Sequence, residues 1–159
     1  MYICDKCFKI YNLFSFIKVN DIYEPIIDAE INCLTNNCDG ILFDVDELFA
    51  PMISLLNKKG YKTIYCCSGH IRPDEEIIYN KKYQKRYKNY IIESYISFDI
   101  SVKLPNIPKG YSYDKSTGSK LDNTIRKTFN YRKRSENILI DILNNTKSVL
   151  KWVKSLPKL

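Results

Sequence analysis

Four cysteines in two closely spaced pairs constrain the fold of this chain more than any other feature. Two residues separate Cys4 from Cys7 in "CDKC", and four residues separate Cys33 from Cys38 in "CLTNNC". Thiolates at such spacing turn a short knuckle around one ion, and two knuckles supply the four soft ligands of a tetrahedral zinc site. Gly40 follows the second pair, where a tight turn needs a permissive backbone. We predict that the four thiols form a closed, structural Zn²⁺ site, with four ordinary buried cysteines as the alternative.

The segment between the cysteine pairs contains two β-like stretches, residues 13–19 (LFSFIKV) and 22–31 (IYEPIIDAEI). The turn signal Asn20-Asp21 joins them. Knuckle, hairpin, knuckle is the layout of a zinc ribbon, although the second knuckle is wider than the common two-residue spacing. Residues 1–42 are too few to build a sufficient core, so we expect the metal to supply the missing stability.

Charge is unevenly distributed along the chain, whose net charge is +7. Residues 1–45 carry three lysines and seven acidic residues, a balance of −4, whereas the remainder carries 22 basic and 11 acidic residues, a balance of +11. This asymmetry indicates two modules, and we place their boundary after residue 42. The basic module, residues 43–159, favours an anionic partner such as a nucleotide, RNA or a membrane surface; a solvated lysine-rich surface is the alternative.

Hydropathy and composition limit where such a protein works. No apolar run reaches the roughly 18 residues of a membrane span, and the first residues do not form a signal peptide. We therefore expect no membrane partner and a cytoplasmic location, where reduced cysteines favour metal binding over disulfides. Glycine is scarce, with 5 residues, and tyrosine is frequent, with 13. With abundant Lys, Ile and Asn, this bias is typical of AT-rich genomes, so we expect a bacterial cell or a phage-infected host.

After the cysteine pairs, the chain has the pattern of strand, helix and strand. Residues 41–43 are apolar and predict a short strand, and Asp44 or Asp46 is suited to cap the helix that follows. Gly60 is suited to end that helix in a left-handed conformation, and residues 61–67 are β-branched and aromatic. We predict an α/β fold, with α+β as the alternative: a zinc ribbon joined to a small mixed-sheet domain with a C-terminal helix.

The segment "NKKGYKTIYCCSGHI" resembles a motif of the wybutosine-synthesising tRNA methyltransferase family. In that motif an aromatic residue after a helix is followed by Thr, three residues and Cys-Ser-Gly-Arg. Thr63, Cys67, Ser68 and Gly69 match in order and spacing, whereas His70 stands where the family has arginine. The resemblance covers about twenty of 159 residues. It implies a related α/β core with this loop near a nucleotide-type ligand, but not methyl transfer, since the sequence has no glycine-rich cofactor loop.

The loop after residue 67 allows three interpretations. The backbone N–H groups of Ser68 and Gly69 are suited to bind a phosphate, with His70 and Arg72 completing an anion cradle. Cys67 and His70 could instead act as nucleophile and base, although the sequence offers no second histidine to support them. The third interpretation is a purely structural turn. We predict a ligand site formed by the matched motif and the residues after it: Thr63, Cys67, Ser68, Gly69, His70 and Arg72.

Aromatic and basic residues are interleaved in residues 79–90 (YNKKYQKRYKNY). Tyrosines at every fourth position would line one side of a helix, and cations beside aromatics can grip nucleic acid through phosphate contacts and base stacking. The alternatives are an amphipathic helix that packs its tyrosines on the sheet, or a flexible lid. The predicted contacts are Tyr83, Lys85, Arg86 and Tyr87.

The remainder of the chain predicts a strand, a loop and a helix. Apolar and polar residues alternate over residues 94–105, as they do in a strand. Residues 106–120 contain the proline, glycine and serine residues that are typical of a loop. A second basic cluster occupies residues 126–134. Ser135 is suited to cap a final helix, in which we expect Trp152 in the core or at an oligomer contact.

Together these features predict a zinc-containing binding protein for a phosphate-bearing ligand, either a nucleotide or RNA. We assign no catalytic residue and expect binding rather than catalysis. One version is a phage-type protein that sequesters a nucleotide signal. The alternatives are an RNA-modifying enzyme related to the methyltransferase family above, and a scaffold whose ribbon and basic face bind another protein.

Overall fold

The computed structural model describes residues 1–12, 31–69, 90–114, 123–131 and 137–159. Within these ranges the chain forms short strands and two helices. In chain order they are β1 (Tyr2–Cys4), β2 (Ile10–Tyr11), β3 (Ile31–Asn32), β4 (Ile41–Asp44), α1 (Ala50–Lys58), β5 (Thr63–Cys67), β6 (Tyr90–Phe98), β7 (Ser112–Tyr113), β8 (Thr124–Tyr131) and α2 (Asn137–Ser155). Neither helix has the length and apolar character needed to cross a membrane.

The first sheet carries the cysteine pairs and has the strand order β2-β1-β4-β3. Its pairs are antiparallel, and β4 is central: Leu42 lies opposite Cys4 on one side and Ile31 on the other. Strand β4 therefore connects the two knuckles through backbone hydrogen bonds. The predicted module boundary after residue 42 falls inside this strand.

The second sheet has the strand order β5-β6-β8-β7 and is also antiparallel. Its longest pairing joins β6 to β8 in register from Tyr90 opposite Tyr131 to Ser97 opposite Thr124. With antiparallel pairing throughout the described strands, the fold is α+β, which is the second of the two predicted classes. Among the described strands, β5 lies at an edge of this sheet, beside β6.

A shared apolar core joins both sheets to both helices. Ile3 of β1, Ile96 of β6 and Ile125 of β8 are fully buried, together with Phe49 just before α1 and Val149 of α2. Burial of one such side chain stabilises the folded state by roughly 1.5–3 kcal/mol, so this cluster is a main source of stability. Because Ile3 is part of it, the cysteine-bearing sheet is packed against the rest of the fold.

The C-terminal helix α2 is held at its end by Lys59, the residue that follows α1. Lys59 Nζ donates to the carbonyls of Val153 and Lys154, both at 3.0 Å, and to that of Leu156. A cation at these terminal carbonyls complements the helix dipole. Trp152 of α2 is buried and donates Nε1–H to Asn106 Oδ1 at 2.7 Å, so it belongs to the core.

The observed element bounds differ from the sequence predictions after residue 90. The predicted strand 94–105 starts earlier, at Tyr90, and ends at Phe98, because Asp99 accepts hydrogen bonds from Ser101 and turns the chain. Strand β8 occupies much of the predicted basic cluster, and β7 lies inside the predicted loop. In the sequence, the long charged side chains of β8 obscure its alternation of apolar and polar residues. The inner face of the strand includes the buried Ile125.

Candidate metal centre and adjoining pocket

The structure brings the four predicted cysteine ligands together. The Sγ atoms of Cys4, Cys7, Cys33 and Cys38 all lie within 4.8 Å of one another. Two of the separations, Cys4 to Cys38 and Cys7 to Cys33, are 3.6 Å. Four thiolates around one ion at Zn–S distances of about 2.3 Å would be separated by about 3.8 Å in a tetrahedron. The group therefore has a composition and spacing that could hold a metal ion.

Backbone N–H groups of the knuckles point at the sulfur atoms. The N–H groups of Lys6 and Cys7 donate to Cys4 Sγ, and that of Thr35 donates to Cys33 Sγ, each at 3.4 Å. The turns are closed by Phe8 N–H to the Cys4 carbonyl and Cys38 N–H to the Thr35 carbonyl, both at 3.1 Å. Such donors stabilise the thiolate form that a metal requires.

Gly40 is needed for space rather than for an unusual backbone angle. It is absent from the glycines with positive φ, whereas Gly60 has the left-handed conformation predicted for it, with φ of 95°. A Cβ at Gly40 would collide with Cys4 Sγ and lie 2.7 Å from Asp5 Oδ1. Glycine is therefore favoured at position 40, as predicted, but because Cys4 approaches closely rather than because the backbone needs a permissive residue.

The thiols of the cluster have unequal proton affinities. Desolvation acts to raise the pKa of Cys33, but hydrogen bonds from Tyr11, at 3.1 Å, and from Thr35 outweigh it and lower the pKa to about 6. Burial raises the pKa of Cys4 to about 12. Adjacent thiolates repel one another, so one ionises at the expense of its neighbour. A divalent cation would favour the thiolate at all four positions and release protons as it binds.

Contacts behind the first knuckle connect it to the core. Phe8 adopts a left-handed conformation, with φ of 57°, and its ring packs against the main apolar cluster. Its carbonyl accepts a hydrogen bond from Ser54 Oγ of α1 at 2.6 Å. Because Ser54 is buried, loss of this acceptor would leave an unsatisfied hydroxyl. The position of the knuckle is therefore coupled to that of α1.

The loop after β5 is attached to the start of α1 through Asp46. Asp46 Oδ2 accepts from the backbone N–H and the hydroxyl of Ser68, at 2.9 and 3.0 Å. Its Oδ1 accepts from the N–H groups of Leu48 and Phe49, at 3.0 and 3.3 Å. Ser68 is fully buried, and Gly69 follows with φ of 97°. In this structure the Ser68 donors bind a carboxylate of the same chain.

The other matched motif residues are also engaged within the chain. Thr63 donates its N–H to Asn57 Oδ1 at 3.0 Å and accepts from Asn57 Nδ2 through its hydroxyl at 2.8 Å. Cys67 Sγ accepts from the Gly69 N–H at 3.4 Å. Thus the structure brings Thr63, Cys67, Ser68 and Gly69 to one strand and its end. The remaining predicted contacts lie outside the described residues: His70, Arg72, Tyr83, Lys85, Arg86 and Tyr87.

A cavity of about 470 Å³ adjoins both β4 and the edge strand β5. Its apolar lining includes Phe43, Val45 and Ile53, and two aromatic residues, Tyr65 and Tyr95, contribute to it as well. The strand register places both tyrosines on one face of the second sheet, as diagonal neighbours, since Tyr65 lies opposite Ser97 and Cys67 lies opposite Tyr95. This volume is in the usual range for a small-molecule site.

The polar lining of this cavity is acidic. Asp44, Asp46 and Glu47 contribute to it, and among the described lining residues there is no lysine or arginine. Sequence reasoning named Asp44 and Asp46 only as helix caps and did not identify the tyrosines as site residues. The alternation of residues 63–67 was a signal for the face of Tyr65, but nothing local in the sequence indicates that residues of β4 and β5 line one cavity.

Comparisons with known proteins add no assignment: no family model, curated protein or solved structure matches this chain. The resemblance to the wybutosine-synthesising methyltransferase family therefore stays a prediction. What the structure itself provides is an α+β fold with a four-cysteine cluster that could hold a metal ion.

Proposed function

We propose that this protein is a zinc-stabilised binding protein that takes a nucleotide-type ligand in the cavity beside β4 and β5. The observation that carries the proposal is the position of β4. This strand lines the cavity with Phe43 and Asp44, and it pairs with β1, which ends at the cysteine ligand Cys4. A metal bound to the cysteines would therefore fix one wall of the cavity.

Zinc is the metal that best suits the cysteine cluster. Four thiolate ligands in a tetrahedral arrangement are typical of structural zinc, and no position is left open for a substrate. In this role the ion stabilises the two knuckles and the first sheet. The chain supplies N–H donors that favour the thiolate form, and Gly40 supplies the space beside Cys4.

The lining of the cavity supports the base of a nucleotide rather than its phosphate. Aromatic side chains such as Tyr65 and Tyr95 offer faces on which a planar base can stack. The carboxylates of the lining would repel a phosphate, so the phosphate would lie outside the described lining. The residues that we predict as phosphate contacts, His70, Arg72, Lys85 and Arg86, lie outside the described residues.

Two measurements test the proposal. Elemental analysis of protein purified without chelator should give about one zinc per chain, as expected for a single four-thiolate site. Native mass spectrometry of protein from the producing cells, followed by a thermal-shift panel of nucleotides, should show a bound or stabilising nucleotide. Protein with a full complement of zinc that neither retains nor responds to any nucleotide would contradict the ligand half of the proposal.

The RNA-modifying enzyme and the interaction scaffold stay predictions. No arrangement of the described residues favours either of them over ligand binding. RNA binding would be recognised by a strong salt dependence, because each phosphate contact releases counterions.

A further inference from the structure

This inference rests on the proposed function and names the ligand class more closely. We infer that the cavity selects a guanine-type base, whose donor edge binds the Glu47 carboxylate while its ring stacks on the tyrosines of the lining. Three features lead to it: the charge of the lining, a carboxylate with no partner among the described residues, and the aromatic side chains that line the same cavity.

The three carboxylates of the lining are not equivalent. Asp46 is held by the hydrogen bonds to Ser68 and to the start of α1. Asp44 lies 3.3 Å from the Met1 amino group. Glu47 is exposed, and within the described part of the chain no group is paired with its carboxylate. Among the described residues, Glu47 is therefore the lining carboxylate whose two oxygen atoms are open to a ligand.

The aromatic part of the lining is accessible on one side. Tyr65 is 63% exposed, so its ring offers a face to a ligand. Tyr95 is half-buried, and the guanidinium of Arg126 lies 5.4 Å from its ring centroid. Arg126 itself is paired with Glu93 and with Asp114 at 2.8 Å, so its charge is balanced by the protein. Among the described residues, a base stacked in the cavity would therefore contact aromatic rings and the Glu47 carboxylate, and no unpaired cation.

A carboxylate discriminates between the two purine bases through their hydrogen-bonding edges. Guanine presents N1–H and the exocyclic amino group side by side, and these two donors match the two oxygens of one carboxylate. Adenine presents one amino group beside the N1 lone pair, which would face a carboxylate oxygen without a proton between them. Hypoxanthine keeps N1–H but lacks the second amino group. We expect the affinity order guanine, hypoxanthine, adenine.

The test measures the binding of GMP, IMP and AMP to the zinc-loaded full chain by isothermal titration calorimetry at pH 7. GMP should bind about tenfold or more tightly than AMP, with IMP between them, as expected for a paired carboxylate. Glu47→Gln should weaken GMP about tenfold, since an amide oxygen can accept from only one of the two guanine donors, and should strengthen AMP, since the amide N–H can donate to adenine N1. Tyr65→Ala should weaken all three nucleotides.

Asp141→Asn is the matched control, because Asp141 lies on α2 outside the cavity and bonds to Tyr131 at 2.7 Å. It should leave the GMP to AMP ratio unchanged. Equal affinities for GMP and AMP, or a preference for AMP, would overturn the inference while leaving nucleotide binding intact. Failure of all three nucleotides to bind would overturn the proposed function as well, and tighter binding of agmatine than of GMP would assign the cavity to a cationic ligand.

A guanine base could come from a free nucleotide or from RNA. Titration with the trinucleotides UGU and UAU distinguishes the two sources. Tighter binding of UGU than of both UAU and GMP would support guanine selectivity and assign RNA as the source of the base. Equal affinities for GMP and UGU would support guanine selectivity and assign the free nucleotide as the source of the base.

Discussion

At the residue scale, a buried hydroxyl on Tyr61 has no hydrogen-bond partner within the described part of the chain. A buried polar group without a partner costs about 1–3 kcal/mol. Tyr61→Phe should therefore raise the free energy of unfolding by about 1 kcal/mol, which corresponds to a rise in Tm of about 2–4 °C. Urea unfolding followed by circular dichroism measures this change.

Tyr111→Phe is the matched control for that substitution. The Tyr111 hydroxyl is also buried, but it lies 2.7 Å from Ser94 Oγ and accepts from Asn145 Nδ2 at 2.8 Å. Its removal should lower the free energy of unfolding by about 1–3 kcal/mol, because it leaves buried partners unsatisfied. Equal effects of the two substitutions would show that the environment of the hydroxyl does not decide its contribution.

Gly40 provides the second residue-scale prediction. Gly40→Ala places a methyl group against Cys4 Sγ and should lower zinc affinity about ten- to a hundredfold, as loss of a supporting contact around a metal does. Competition with a chromogenic chelator measures the affinity. Gly110→Ala serves as control, since Gly110 has φ of 84° and the atoms nearest to its added Cβ would be those of the Lys127 side chain. An unchanged zinc affinity of the Gly40 variant would contradict the steric argument.

At the element scale, Asp46 connects the start of α1 to the end of β5. Asp46→Ala removes the acceptor of two helix-start N–H groups and of both Ser68 donors, so it should lower the free energy of unfolding by about 2–3 kcal/mol. Ser68→Ala removes one of these bonds and should cost about 1 kcal/mol. In urea unfolding, the double variant should cost less than the two single variants together. Strict additivity would show that the two residues are not coupled.

The turn after β6 gives an acid-dependent prediction. Hydrogen bonds from the Ser101 N–H and hydroxyl, and the Lys62 ion pair at 3.0 Å, lower the pKa of Asp99 from 3.8 to about 2. A carboxyl with a lowered folded-state pKa contributes stability above its unfolded pKa, and this contribution is lost as the pH falls toward the folded value. Stability should therefore decrease between about pH 4 and pH 2, and Asp99→Asn should flatten unfolding curves in that range. An unchanged slope would assign the acid response to other groups.

At the scale of the whole molecule, the metal should stabilise more than the segment that binds it. Ile3 and Phe8 pack against the same cluster as Trp152 of α2, so loosening of the knuckles reduces packing across the fold. Removal of zinc by a chelator should lower the Tm of the whole chain and change the Trp152 fluorescence in the same transition. A Cys33→Ser variant should show no further response to chelator. Trp152 fluorescence that ignores chelator would indicate that the knuckles unfold independently.

How much was predictable differs between the two parts of the candidate site. The four clustered cysteines were predictable from their spacing, because a knuckle is a local structure of a few residues and needs thiols at fixed separations. The cavity could not be predicted in this way. It depends on residues of β4 and β5 lining the same space, and on strand pairing that places Tyr65 and Tyr95 on one face of the second sheet.

By itself, then, the sequence determined the features that depend on neighbouring residues: the cysteine pair of each knuckle, the helix that precedes Gly60, and the strand that ends at Cys67. Only the tertiary structure decided the antiparallel sheets, the strand character of residues 124–131, the binding of Ser68 by Asp46 and the acidic, aromatic lining of the cavity. The reason is physical. Knuckles, caps and turns are stabilised by contacts within a few residues, whereas strand pairing and cavity walls are stabilised by contacts between residues tens of positions apart.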